Sequence, residues 1–225
     1  MKQSSKFFLS AALALVTFAA SAQISIGPKA GINLANWSVE NAEENGDYQS
    51  RMGYQFGVVA EIRINDHFAI QPEFNLIQKG AKQEFSEVDS LIGSISTKTN
   101  IAFNYLEVPV LIKAGTSFGP ARVDLLAGPS FGYALSGKVK EEFTLNGETE
   151  KDEIDVDFKE DEVKRTDVGL QLGAAFSFNL GESAKLFVDG RYLFGLTNLN
   201  DSTEDDSFKV NNRGVALSAG VLFTL

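Results

Sequence analysis

The chain has no cysteine, one histidine and one tryptophan in 225 residues. Without thiols, neither a disulfide framework nor a thiolate metal centre is available, so stability rests on burial and hydrogen bonding. Basic residues are also scarce: 20 Lys and Arg stand against 30 Asp and Glu, for a formal net charge of -10 at pH 7. Binding a phosphate backbone needs a basic face, so the expectation is no nucleic-acid partner. Beyond the N-terminal segment there is no run of about 18 consecutive apolar residues, which removes a helical membrane span but leaves crossing by strands open.

What is present begins with an export signature. Met1 to Gln23 reads "MKQSSKFFLSAALALVTFAASAQ": Lys2 and Lys6 precede an apolar core from Phe7 to Ala20, and Ala20, Ser21 and Ala22 form a small-residue end. This is the layout of a cleaved signal peptide over residues 1–22, too short in its apolar core to span a bilayer. Cleavage removes two positive charges and takes the net charge from -10 to -12 (-10 minus 2). The expected mature chain, residues 23–225, is long enough for one large all-β domain.

Eight segments of that chain alternate apolar and polar residues with the period of two that strands require. They are Ile24 to Asn36, Met52 to Ile64, His67 to Gln83, Thr99 to Gly115, Ala121 to Leu135, Thr166 to Leu180, Ala184 to Leu196, and Arg213 to Leu225. Short connections, "NDH", "TSFGP" and "GES", are turn-forming clusters. They alternate with long ones: Trp37 to Arg51, Glu84 to Lys98, Ser136 to Arg165, and Thr197 to Asn212. Four long loops at one end, with three short turns and both termini at the other, predict an eight-stranded antiparallel up-and-down transmembrane β-barrel. In outer-membrane barrels the short turns are periplasmic and the long loops external. The third and fourth loops are dense in acids, which suits solvated loop tips. A divalent-cation site there is the sharper alternative, although neither loop has the spaced Asp, Asn and Gly of an EF-hand.

The two faces of the strands differ in kind. Leu186, Val188, Tyr192, Phe194 and Leu196 share one face, opposite Lys185, Asp189 and Arg191. Likewise Val58, Ile62 and Ile64 oppose Glu61 and Arg63, and Val123, Leu125, Phe131 and Tyr133 oppose Arg122 and Asp124. A soluble lipocalin-type barrel would turn its apolar face inward, and period alone does not say which face is inside. The polar face holds Lys29, Glu61, Arg63, Glu73, Glu107, Lys113, Arg122, Asp124, Asp167, Asp189 and Arg191, six acids against five bases. Few charges, nearly balanced and interleaved with Gly, Ser, Asn and Gln, suit an interior where each charge must find a partner. The other face is almost uninterrupted Val, Leu, Ile, Phe and Ala, as lipid demands. Trp37, Tyr48, Tyr54 and Tyr105 lie near strand ends and suit an aromatic belt at the membrane surface.

Pro109 shares the polar face with Glu107 and Lys113 and removes a donor from a strand with no free edge, so a local bulge or a shift of a side-chain acceptor is expected near it. At the C-terminus, Gly220, Phe223 and Leu225 resemble the signal by which outer-membrane barrels are recognised for insertion, with Leu in place of a terminal aromatic.

Three stretches, "GPKAGINLANW", "YLEVPVLIKAG" and "GPSFGYAL", together resemble the PorT-like outer-membrane β-barrel family. The resemblance implies an eight-stranded barrel in the outer membrane of a diderm bacterium with periplasmic termini; some relatives serve a protein-secretion apparatus. Eight strands leave room inside only for side chains. The expected role is therefore structural or interactive, with no cofactor and no bound metal. Its partners would be outer-membrane lipid, the barrel-assembly machinery during insertion, and a protein or divalent cation at the acidic loops. A narrow or gated pore is the alternative, and a barrel enzyme the third. Barrel enzymes of this size use His with Ser or Asp near the outer rim. Here His67 adjoins the short "NDH" turn, at the opposite end, so the expectation is no enzymatic activity.

Overall fold

Alternation commits each segment to an extended chain whose two faces meet different surroundings. The computed structural model describes residues 23–40, 48–89, 93–201 and 209–225. The signal peptide expected at 1–22, the centre of the first long connection and most of the "DSTEDD" run lie outside the described residues. Among the described residues the strands are β1 (Gln23–Glu40), β2 (Tyr48–Gln49), β3 (Arg51–Arg63), β4 (Phe68–Asp89), β5 (Gly93–Phe118), β6 (Ala121–Leu145), β7 (Glu148–Asp155), β8 (Thr166–Asn179), β9 (Ala184–Gly195) and β10 (Lys209–Thr224). All but β2 and β7 correspond to the eight segments read from the sequence.

Every ladder is antiparallel. The order runs β4, β3, β1, β10, β9, β8, β6, β5, and β5 pairs again with β4, so each of these strands has two partners and the order returns to its start. The first and last strands meet along a ladder from Ser25 and Thr224 to Glu40 and Lys209, which brings Gln23 and Leu225 to the end carrying the short turns. There the Asn65 Oδ1 accepts from the backbone N–H of His67 and of Phe68 at 2.9 Å each.

The other end departs from expectation. Residues assigned to loops continue as strand: β4 and β5 stay paired out to Asp89 and Gly93, and β6 runs on to Leu145 before β7 folds back along it. The reversal is Asn146-Gly147, with φ of 50° and 90°. Positive φ at both central residues matches the twist of the flanking strands, which is why Asn-Gly is so strong a hairpin signal.

Prolines 28, 72, 109 and 129 lie within strands, and each coincides with a two-residue gap in one ladder. The β1–β10 ladder skips from Ile26 to Lys29, the β3–β4 ladder from Ile70 to Glu73, the β4–β5 ladder from Glu107 to Val110, and the β5–β6 ladder from Pro109 to Ile112. The register is the same on both sides of every gap. A missing N–H is thus accommodated by omitting pairs, with no residue inserted. The bulge expected at Pro109 is instead at Asn104/Tyr105, where Leu135 is the extra residue between partners Ala134 and Ser136.

Candidate functional site

Strand parity sends three tiers of charge inward. In the middle tier, Glu73 on β4 accepts from Lys29 Nζ at 2.7 Å, from Arg191 Nη1 and Nη2 at 2.9 and 2.7 Å, from Gln71 Nε2 at 2.6 Å and from Asn75 Nδ2 at 2.9 Å. The two-pronged guanidinium contact is the strong, directional form of ion pair. Arg191 also donates to Asp189 at 3.0 Å.

Nearer the short turns, Glu61 is held between Lys113 at 2.7 Å, Arg63 at 3.2 Å and Lys185. Arg122 donates to Asp124 at 2.8 Å and to the carbonyls of Asp66 and His67 at 2.5 and 3.1 Å, tying the first short turn to the interior. A polar cavity of about 350 Å³ opens here beside Ser25, Arg63, Ser117, Arg122 and Lys185.

Towards the long hairpins, Lys79 donates to Glu107 at 2.6 Å and to Asp167 at 3.0 Å, and Asn212 donates to Asp167 at 2.9 Å. Gln171 joins this tier to the middle one: its amide N–H reaches Glu107 at 3.0 Å, and its oxygen accepts from Arg191 at 3.4 Å. The cavity beside Lys79 and Asp167 is about 10 Å³, about the space of one water. Formal charge falls along the axis. Four cations face Glu61 and Asp124, two face Glu73 and Asp189, and Lys79 alone faces Glu107 and Asp167.

Above the last tier the interior turns apolar. Ile77, Phe103, Tyr105, Ala134, Leu193 and Ala216 form a cluster that Phe158 covers from the chain following β7. The Phe158 ring lies 5.7 Å from that of Phe103, and the Arg165 guanidinium sits 4.1 Å above its centroid. Val163 N–H bonds to the Phe158 carbonyl at 3.0 Å, and Lys164 N–H to that of Leu199 at 2.8 Å, so two of the long connections knit into one lid. The acidic third connection is therefore solvated only in part: its carboxylates are exposed, whereas Val156, Phe158 and Val163 pack inward.

Of the eleven charges expected on the polar face, ten are buried and Arg63 is partly so. Lys79 and Lys185 complete their pairing; Lys79 is found by following the parity of Glu73 through Asn75 and Ile77. Tyr105 does not belong to an outward aromatic belt. It shares its face with Phe103 and Glu107, is fully buried, and has Lys79 Nζ 5.1 Å from its ring centroid. Trp37 packs against the same inner cluster, while Tyr54 is outward and exposed. His67 is exposed on its turn, with Nδ1 3.3 Å from the Gly115 carbonyl. A Cβ at Gly220 would lie 2.4 Å from the Pro28 oxygen and 2.7 Å from the Phe187 ring, so this glycine permits a close contact; Phe223 and Leu225 are exposed outward. Among the described residues, no three His, Cys, Asp or Glu are grouped to hold a metal ion.

Comparison with curated proteins finds no match. Among solved structures, the chain is similar to Neisserial surface protein A at 17% identity and TM-score 0.46, covering 89% of this chain and 97% of that one. It is similar to OprG of Pseudomonas aeruginosa at 13% identity and TM-score 0.46, covering 91% and 96%. For Ail of Yersinia pestis the values are 14% and 0.40, covering 91% and 99%. The sequence model of the outer membrane protein beta-barrel domain matches residues 4–201, most of the chain. With its single antiparallel sheet, the chain belongs to the outer membrane protein beta-barrel domain family.

Proposed function

We propose that the ring of eight strands is a closed transmembrane β-barrel of the outer membrane, with a structural or interaction role and an interior shut by its own side chains. The observation that carries this reading is the plug: three tiers of buried ion pairs, the upper two joined through Gln171, beneath an apolar lid. Outward residues such as Met52, Phe74, Ile112, Leu125 and Leu172 form the exposed apolar girdle that lipid would cover. A crossing strand needs only about 10 residues. β5 and β6 have 26 and 25, so their far halves would project outside with β7 as a partner-binding platform.

In this reading the termini and short turns are periplasmic, residues 1–22 are the export signal, and Gly220, Phe223 and Leu225 are offered to the assembly machinery. The PorT-like assignment rests on the three sequence stretches quoted above. The charged groups Lys29, Glu61, Arg63, Glu73, Glu107, Lys113, Arg122, Asp124, Asp167, Asp189 and Arg191 serve as a structural network, and no catalytic role is assigned to them. A gated pore is the second reading. It is favoured by the 350 Å³ polar mouth and by a lid made of connecting chain, not of wall strands.

Single-channel recording in planar bilayers tests the choice. The full-length mature chain is expected to show no stable conductance, and a reproducible open level would replace the plugged barrel with the gated one.

A further inference from the structure

Around β4, β5 and β6 the outward face changes character at one level. Leu76 gives way to Gln78, Leu106 to Asn104, and Leu135 to Ser136 and Lys138. At this boundary lies a cavity of about 430 Å³, walled by Arg51, Tyr54, Asn104, Lys138, Lys140 and Glu153. Arg51 is unusual within it. The residue is 8% exposed, yet its guanidinium has no carboxylate partner among the described residues. Nε donates to Asn100 Oδ1 at 2.9 Å and Nη2 to Gln78 Oε1 at 3.0 Å, both neutral amides, and Nη1 has no partner. Burying a guanidinium against neutral groups is costly unless an anion completes the site. Glu153 does not do so, because its two oxygens are engaged by Lys138 and Lys140. Three cations and one carboxylate line the cavity, and Asp155 stands 3.6 Å from Lys138, which leaves one positive charge in excess, that of Arg51.

We propose that this cavity is a phosphate site for the headgroup of a membrane lipid, which rests on the transmembrane reading above. Guanidinium forks match the oxygens of phosphate, and lysines add mobile charge. A phosphomonoester would meet Arg51 at the inner wall and the lysines at the rim. Its acyl chains would run down the apolar face past Leu106 and Val108. Lys and Arg gathered beside a membrane surface attract anionic headgroups.

The test places the full-length mature chain in phosphatidylcholine nanodiscs doped with phosphatidic acid or with diacylglycerol, and counts retained lipid by native mass spectrometry. The wild type is expected to retain phosphatidic acid preferentially. Arg51→Gln should weaken that retention at least tenfold, and the doubly exposed variant Lys138→Gln with Lys140→Gln should do so whether or not Arg51→Gln folds. Equal retention by the wild type and these variants would overturn the site. In a second arm, inorganic phosphate is titrated in maltoside micelles: binding as tight as that of the lipid would overturn the lipid source. Protease protection in vesicles separately reads insertion. A chain that stays outside the bilayer would sink the transmembrane reading, and the lipid assignment with it.

Discussion

Glu73 and Glu153 are each a carboxylate between two cations, and they differ in almost everything that follows from this. Glu73, between Lys29 and Arg191, has a side chain 0% exposed; Glu153, between Lys138 and Lys140, has one 42% exposed. The first sits where no water can replace a lost partner, the second where water and salt compete at all times. The same chemical motif is therefore a fixed strut inside the ring and an adjustable clasp on the projecting hairpin. Its surroundings decide the energy, not the count of ion pairs.

The sharpest way to break the comparison is to remove each carboxylate. Glu73→Ala leaves Lys29 and Arg191 buried without their main partner, a change that costs about 3–5 kcal/mol when a buried pair loses one member. Urea unfolding in detergent, followed by the heat-dependent shift in gel mobility, measures it. Adding Arg191→Leu to Glu73→Ala should recover part of the loss, because the second change removes one stranded charge; a further loss of equal size would mean that the two residues do not act as a pair. Glu153→Ala should leave the midpoint unchanged.

A smaller effect is expected from Phe158→Ala, which empties the lid without touching an ion pair. Phe to Ala in a packed core costs about 3–5 kcal/mol, and a lid of connecting chain can collapse into the space, so about 2 kcal/mol is expected. The loss should appear as faster amide exchange around Val163 and Leu199 while the strands stay protected. Exchange that rises equally in β9 and β10 would show the lid and the wall to be one unit.

Much of this was legible in sequence, for a physical reason: a strand with two different surroundings repeats every second residue, and eight such segments fixed the wall and its inward charges. Lys79 was readable by the same parity but lay past the point where apolar residues on the opposite face give way to Gln78 and Gly80. The hairpin beyond the wall was also signalled, by Asn146-Gly147 between two alternating runs, but the density of Glu and Asp there mimics a solvated loop. What pattern could not show is the lid. Phe158, Val163 and Leu199 are isolated apolar residues in acidic connections, and their burial depends on where the chain crosses the mouth. The ladder gaps at the prolines likewise depend on which neighbour each missing donor would have faced.

The exposed clasp gives the smallest effect and its own pH signature. Hydrogen bonds from Lys138 and then Lys140 hold the Glu153 carboxyl down at about 2, against an ordinary glutamate value of about 4.3. The folded value is the lower one, so the hairpin gains from this contact at any pH above the ordinary value, and the gain fades as pH falls through that value towards about 2. Protection of the β7 amides, taken relative to the intrinsic exchange rate at each pH, should therefore drop between about pH 4.3 and the lower limit, and raised salt should shrink the change because the pair is open to solvent. Glu153→Gln should remove the larger part of the dependence and leave the part that comes from Glu142, whose carboxyl the hydrogen bond from Lys151 also holds low. Should β7 instead loosen as the pH is raised above neutrality, another group would be holding it, and the contrast with Glu73 would lose its second member.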